Sequence, residues 1–376
     1  MKVVILGSAH PLRGGLATYN ERLAREYLSQ GHEVIIYTFS LQYPNFLFPG
    51  ITQYNDQAKP LDLDIRVKVN SVNPYNWWSV GNEISKLKPD LLLIKFWLPF
   101  MAPCLGVIAR LVKRNGITKV FSIIDNIIPH EKRMGDFLLA KFFVNSIDAF
   151  IAQSKSVLLD LNLFDSSKSK LFNPHPLYDN FGELQSKSEA KSKLGLIEGE
   201  RYILFFGFIR DYKGLDLILE AMALKEIKDI SVKLIVAGEF YSDKQPYLDL
   251  IEKLKIHKSV ILKADFIPDD KVASYFSAAD LVVQPYKHAT QSGVTQICYH
   301  FEKPMLVTNV GGLPEIVPHQ KVGYVVDTNA LSIAQAINDF YVNNREREFV
   351  NNTKIEKIKY SWATMLSSIQ TLCEKV

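Results

Sequence analysis

At 376 residues, 47% hydrophobic and 22% charged, the chain is long for one α/β domain and suited to two folded ones, which excludes a disordered or fibrous protein. A net charge of +4 is too small for a nucleic-acid binder. The three scattered cysteines (Cys104, Cys298, Cys373) lack metal-ligand spacing, and no run approaches the ~20 apolar residues that span a bilayer.

The chain opens on VVILG (3–7), an apolar run entering a glycine turn, which reads as a first strand rather than a signal peptide and predicts a soluble, cytoplasmic protein. Helical spacing follows from Gly15 to Gly31, then EVIIYTF (33–39), completing a β-α-β unit. Strand-like runs recur at DLLLIKF (90–96), KVFSII (119–124) and DAFIAQS (148–154), with helical segments at Ala102–Arg114 and Asp136–Ser146 between them. Runs this apolar are buried on both faces, as in parallel sheets. Residues 1–180 carry 20 Lys and Arg against 15 Asp and Glu, and also Trp77, Trp78 and Trp97. That combination leaves two readings open, an ordinary surface or a patch that touches a membrane.

FNPHPLYDNFG (172–182), with two prolines and little periodicity, reads as an inter-domain linker. The strand-helix alternation then restarts: YILFFG (202–207), a helix over Gly214–Leu224, VKLIVAG (232–238), a helix over Pro246–Leu254, VILKADF (260–266), a helix over Asp270–Ala278, DLVVQPY (280–286) and PMLVTNV (304–310). Leu331–Val376 is largely helical in pattern. The prediction is an α/β protein of two doubly wound domains, 1–180 and 181–355, with a closing helix over 356–376 packing back toward the first domain.

Four segments carry the chemistry. The turn from Gly7 to Gly14 and Gly15 opens a helix whose N-terminus favours an anion, but it is neither GxGxxG nor GxxxxGK[ST], which argues against a nicotinamide cofactor or a P-loop. In GFIRDYKG (207–214), Arg210 and Lys213 lie between a strand and a helix, where two cations could clamp a diphosphate or form a solvated basic loop. In ATQSGV (289–294), Ser292 is a candidate cap, and the backbone around Gly293 suits a phosphate or a sugar hydroxyl. SIIDNIIPHEKRMGD (122–136) gathers Asp125, His130, Glu131 and Asp136 in a strand-end loop, where an acid and a histidine could position an acceptor hydroxyl or be structural.

Three stretches, GFIRDYKGLDLILEA (207–221), FIPDDKVASYFSAADLVVQPY (266–286) and KPMLVTNVGGLPEIV (303–317), resemble the GT-B-fold glycosyltransferases, specifically the retaining family 4, also called group 1. The resemblance implies two Rossmann-like domains facing a central cleft, the first for the acceptor and the second for a nucleotide-diphosphate sugar. It places Arg210 and Lys213 on the donor diphosphate beside Gly207, and the backbone of Phe266, Ile267 and Pro268 against the base. Gly14 and Gly15 would touch the donor phosphate or the acceptor.

The chain departs from the usual Glu-x7-Glu pair, which would fall on Ala289 and Ile297. It resembles instead a subgroup with ATQSG, in which Gln291, Ser292, Gly293 and Val294 hold sugar and phosphate and Gln296 is the nearest candidate for the ribose. The family's active-site histidine would fall near Asp125, so Asp125 or His130 takes that role. The resemblance implies retaining transfer from a nucleotide sugar to a saccharide or lipid-linked saccharide, in cell-surface polysaccharide assembly. No metal and no cofactor is expected. Peripheral membrane contact would come through the first domain. A nucleotide-sugar-binding partner subunit without catalysis and a GT-B-fold sugar-nucleotide epimerase are the other readings.

Overall fold

The computed structural model describes residues 1–44, 52–54, 58–129, 133–289 and 292–376. The chain divides into two units, one made of Met1–His175 with Trp362–Val376, the other of Pro176–Ser361.

The first unit holds β1 (Lys2–Leu6), α1 (Gly15–Ser29), β2 (Glu33–Leu41), β3 (Asp64–Asn70), α2 (Pro74–Leu87), β4 (Leu91–Phe96), α3 (Ala102–Lys113), β5 (Lys119–Ile124), α4 (Asp136–Val144), β6 (Ala149–Ala152), α5 (Lys155–Phe164), β7 (Lys170–Phe172) and, from beyond the second unit, α15 (Trp362–Lys375). Its strands form one parallel sheet in the order β3-β2-β1-β4-β5-β6-β7, with Val3 opposite Glu33's neighbour Val34 on one side and Leu91 on the other. Alternation along the strands sends Val4 and Leu6 to a core shared with α2 to α5, and Val3 and Ile5 to a core shared with α1 and α15. Both faces are therefore covered, which is why β1 and the first four residues of β4 read as continuous apolar runs.

The second unit holds α6 (Lys187–Leu194), β8 (Arg201–Phe206), α7 (Leu215–Met222), α8 (Lys225–Lys228), β9 (Val232–Ala237), α9 (Gln245–Leu254), β10 (Val260–Lys263), α10 (Asp269–Ala278), β11 (Leu281–Gln284), α11 (Gly293–His300), β12 (Met305–Thr308), α12 (Leu313–Ile316), β13 (Gly323–Val326), α13 (Ala330–Val342) and α14 (Glu346–Glu356). Its parallel sheet runs β10-β9-β8-β11-β12-β13. Ile203 and Phe205 face the α7, α9 and α13 side, while Tyr202 and Leu204 face α10 and α11.

In each sheet the chain winds outward on one side of its first strand and then crosses over to the other. The switch points lie between β1 and β4 and between β8 and β11, and open α/β sheets bind ligands beyond the carboxyl ends of the strands at such points.

Candidate active site

In the second unit the loop leaving β8 is clipped to the loop leaving β9, because the Ile209 N–H donates to Glu239 O at 2.8 Å and the Tyr241 N–H to Ile209 O at 2.9 Å. A 3-10 turn over Asp211–Lys213 follows, ending at Gly214 with φ +69°. A Cβ at Gly214 would lie 2.0 Å from the carbonyl oxygen of Pro285, so only glycine lets this loop rest on the one that follows β11.

That contact carries Lys213 inward, to 9% exposure. Its Nζ lies 5.6 Å from the centre of the Tyr286 ring and 3.0 Å from where a Gly207 side chain would begin. The nearby carboxylates are engaged elsewhere: Asp211 accepts from the Tyr247 phenol at 3.1 Å, and Asp216 pairs with Lys287 at 2.6 Å. Among the described residues Lys213 has no ion pair, and burial, reinforced by Arg210, pushes its ammonium down to about 8. Arg210 is exposed, with its guanidinium 5.0 Å over the Tyr241 ring, and Tyr241 stacks on Phe208 at 4.4 Å. A buried cation with no counter-ion is costly by itself, and an anion placed against it removes the cost.

The start of α11 meets this loop. Ser292 caps the helix, its Oγ accepting from the Val294 N–H at 3.2 Å and sharing a 3.1 Å hydrogen bond with the Tyr286 hydroxyl. A Cβ on Gly293 would stand 2.8 Å from the Tyr178 ring, and a methyl of Val294 is 3.8 Å from the Cβ position of Gly207. Gly207, Arg210, Lys213, Ser292, Gly293 and Val294 thus gather at the β8/β11 switch point, where two cations and the start of a helix can receive a diphosphate.

Phe266 is half exposed and stacks at 6.3 Å on Phe208, Ile267 packs on the core, and Pro268 opens α10. Gln296 does not line this surface. It is wholly buried, and neither atom of its amide, nor that of Gln284, has a hydrogen-bond partner among the described residues. Gln291 lies outside the described residues. Tyr178, Phe208, Tyr241 and Tyr286 pack around these loops and were not singled out by pattern reading; Phe208, beside Gly207, is the one of the four that follows a glycine.

In the first unit Gly14, at φ +104°, precedes α1 with open space where a side chain would stand, and Gly15 begins the helix. Asp125 follows β5. Its Oδ1 accepts from Lys95 Nζ at 2.7 Å, and Lys95 also donates to Gln153 Oε1 at 2.7 Å. Burial pushes the Asp125 carboxyl up, and Lys95 opposes it. His130 and Glu131 lie outside the described residues. Asp136 is occupied locally, accepting from the Arg133 N–H at 2.8 Å.

Of the three tryptophans, Trp77 and Trp97 pack on the core, donating to Asn70 O and the Tyr43 hydroxyl, and Trp78 alone is exposed. Among the described residues no helix is long and apolar enough to cross a membrane, and no three metal-ligating side chains cluster.

Residues 13–171 match the family model described as Glycosyltransferase Family 4, and residues 186–356 match Glycosyl transferases group 1. The chain is 26% identical to an uncharacterized glycosyltransferase of Methanocaldococcus jannaschii over 96% of this chain and 95% of that one. It is 21% identical to N-acetyl-alpha-D-glucosaminyl L-malate synthase of Bacillus anthracis, covering 87% and 84%. Among solved structures, Anabaena HepE in complex with UDP superposes with a TM-score of 0.75 at 15% identity, over 100% of both chains.

Proposed function

From the premise that this chain is a glycosyltransferase of GT-B type, carrying a Family 4 domain followed by a group 1 domain, we infer that its donor is a nucleotide-diphosphate sugar held by the second unit. The observation that carries this reading is Lys213, a buried ammonium with no described counter-ion, beside Arg210 and the start of α11. The solved complexes of HepE with UDP and with UDP-glucose support it by their fold.

In this reading Gly207 lets the diphosphate approach the backbone, and Arg210 and Lys213 absorb the charge that develops as it departs. The acceptor hydroxyl attacks on the face the diphosphate leaves, a diphosphate oxygen takes its proton, and configuration is retained without a metal. Phe208 and Phe266 offer ring faces where the base would lie, beside the Phe266–Pro268 backbone. Asp125, with or in place of His130, orients a hydroxyl, while Gly14 and Gly15 present backbone at the start of α1.

The acceptor is a saccharide, lipid-linked in the cell-surface assembly reading. Membrane contact through the first unit would rest on exposed Tyr75 and Trp78 of α2 and on Met134, Phe137 and Leu138 around α4. Pelleting with anionic liposomes at low salt tests it.

Thermal melting with UDP, GDP, ADP, CMP and dTDP and their sugars, with Mg²⁺ or with EDTA, tests the donor site. At ~100 times its dissociation constant a ligand adds about 2.7 kcal/mol. One nucleotide diphosphate should stabilise wild type equally in EDTA and fail to stabilise Lys213→Ala. Stabilisation that needs Mg²⁺, or that survives in the variant, would remove the cation clamp from the mechanism.

A further inference from the structure

Lys95 is the penultimate residue of β4, a strand buried at all six positions. Its ammonium is fully engaged, by Asp125 Oδ1 at 2.7 Å, by Gln153 Oε1 at 2.7 Å and by the Tyr19 ring, whose centre is 3.7 Å away. Gln153 Nε2 in turn donates to the Tyr19 hydroxyl at 2.9 Å, so the ends of β4, β5 and β6 and one face of α1 are tied together. A buried ion pair kept only for packing is often no better than an apolar pair of the same size.

Asp125 is not spent on that pair. Its second oxygen has no partner among the described residues, and its side chain keeps 21% exposure. Asn126 Oδ1, next in the chain, and Asn20 Oδ1 are buried without partners among the described residues. Asn20 and Lys95 flank Gly7, where a Cβ would lie 2.5 Å from Asn20 Nδ2 and 3.2 Å from Lys95 Cβ. The oxygens left without partners around Asp125 are all acceptors, and of them the Asp125 carboxylate is the one that keeps exposure, which suits a hydroxyl donor.

We propose, resting on the reading that Asp125 takes part in transfer, that Lys95 is a positioning residue. It holds the Asp125 carboxylate ionised with one oxygen tied down, leaving the other to accept from a hydroxyl of an uncharged saccharide. Lys95 is the charged group facing Asp125 among the described residues; Gln153 and Tyr19 present an amide and a phenol around the same ammonium, and His175 lies edge-on to Tyr19 at 4.9 Å.

The test is a carbon-NMR titration of the Asp125 carboxyl in the full chain, for wild type, Lys95→Met and Lys95→Arg. UDP release from UDP-glucose with a panel of methyl glycosides is followed across pH in parallel. Lys95→Met should raise the Asp125 midpoint by about one pH unit or more, a roughly tenfold gain in proton affinity, and Lys95→Arg should restore most of it. Transfer should fall roughly tenfold or more in Asp125→Asn, and in Lys95→Met the acid limb of kcat/KM should move up with the carboxyl.

The double variant Lys95→Met/Asp125→Asn leaves no unpaired buried charge and should melt near wild type while staying inactive. An Asp125 midpoint or acid limb unmoved in Lys95→Met, or an active double variant, overturns the proposal. Normal transfer by Asp125→Asn would instead remove Asp125 from the reaction.

Discussion

Replacing Lys213 by methionine should make the ligand-free protein more stable. A drop from the ordinary 10.5 to about 8 means that the fold penalises the charged lysine. At about 1.4 kcal/mol per pH unit, that difference is an upper limit of about 3 kcal/mol. Methionine keeps the length and carries no charge, so below pH 8 the variant recovers most of that penalty, roughly 6–12 °C in a unit of this size.

The sign can be followed with pH. Below 8 the lysine is protonated in both folded and unfolded chains and the whole penalty is present. Between 8 and 10.5 the folded chain releases the proton while the unfolded chain keeps it, so wild type gains stability as pH rises. Melting both proteins from pH 6.5 to 10.5 should show the gap in Tm greatest at neutral pH and closing above 8. Nucleotide diphosphate at ~1,000 times its dissociation constant, worth about 4.1 kcal/mol, should reverse the order at neutral pH by stabilising wild type alone. A variant that melts at or below wild type at pH 7, or a gap that does not close, would refute the account of Lys213 as an unpaired buried cation.

Other outcomes follow from the same geometry. Gly214→Ala forces a Cβ against Pro285 O at a left-handed backbone position, and calorimetry should show a loss of at least ~2 kcal/mol, together with loss of the nucleotide response. Ser292→Ala removes the α11 cap and should cost about 1 kcal/mol, with weaker nucleotide diphosphate binding by calorimetric titration.

The strands legible in the sequence were those buried on both faces, such as β1, β4 and β8, whose runs of four or more adjacent apolar residues leave no solvent-facing alternation. The edge strand β3 was not, because DIRVKVN turns half its side chains to solvent, and β13 is only four residues long and begins at a glycine. The start of α2 did carry a signal, Asn73 capping and Pro74 at the first helical position, and it went unread.

At the site, Arg210, Lys213 and Ser292 could be placed because their loops follow strands of one sheet. Which cation would be buried could not be, since that depends on Gly214 resting against a loop about seventy residues away. Lys95 was visible as the one charge inside LLLIKF, and a charge in a strand buried on both faces calls for a partner. Its partners come from β5, β6 and α1, which strand periodicity does not identify.

The membership of α15 in the first unit bears on how the chain is made. Trp362, Met365, Leu366, Ile369 and Leu372 complete the core over one face of the first sheet, yet the ribosome must produce all of 176–361 before it reaches them. Vectorial synthesis therefore leaves the apolar face beside α1 partly uncovered while the second unit folds, an interval in which a nascent chain is open to aggregation and to capture by chaperones. Expression yield should depend on elongation rate through that stretch, and a circular permutant that joins α15 ahead of β1 should depend on it less.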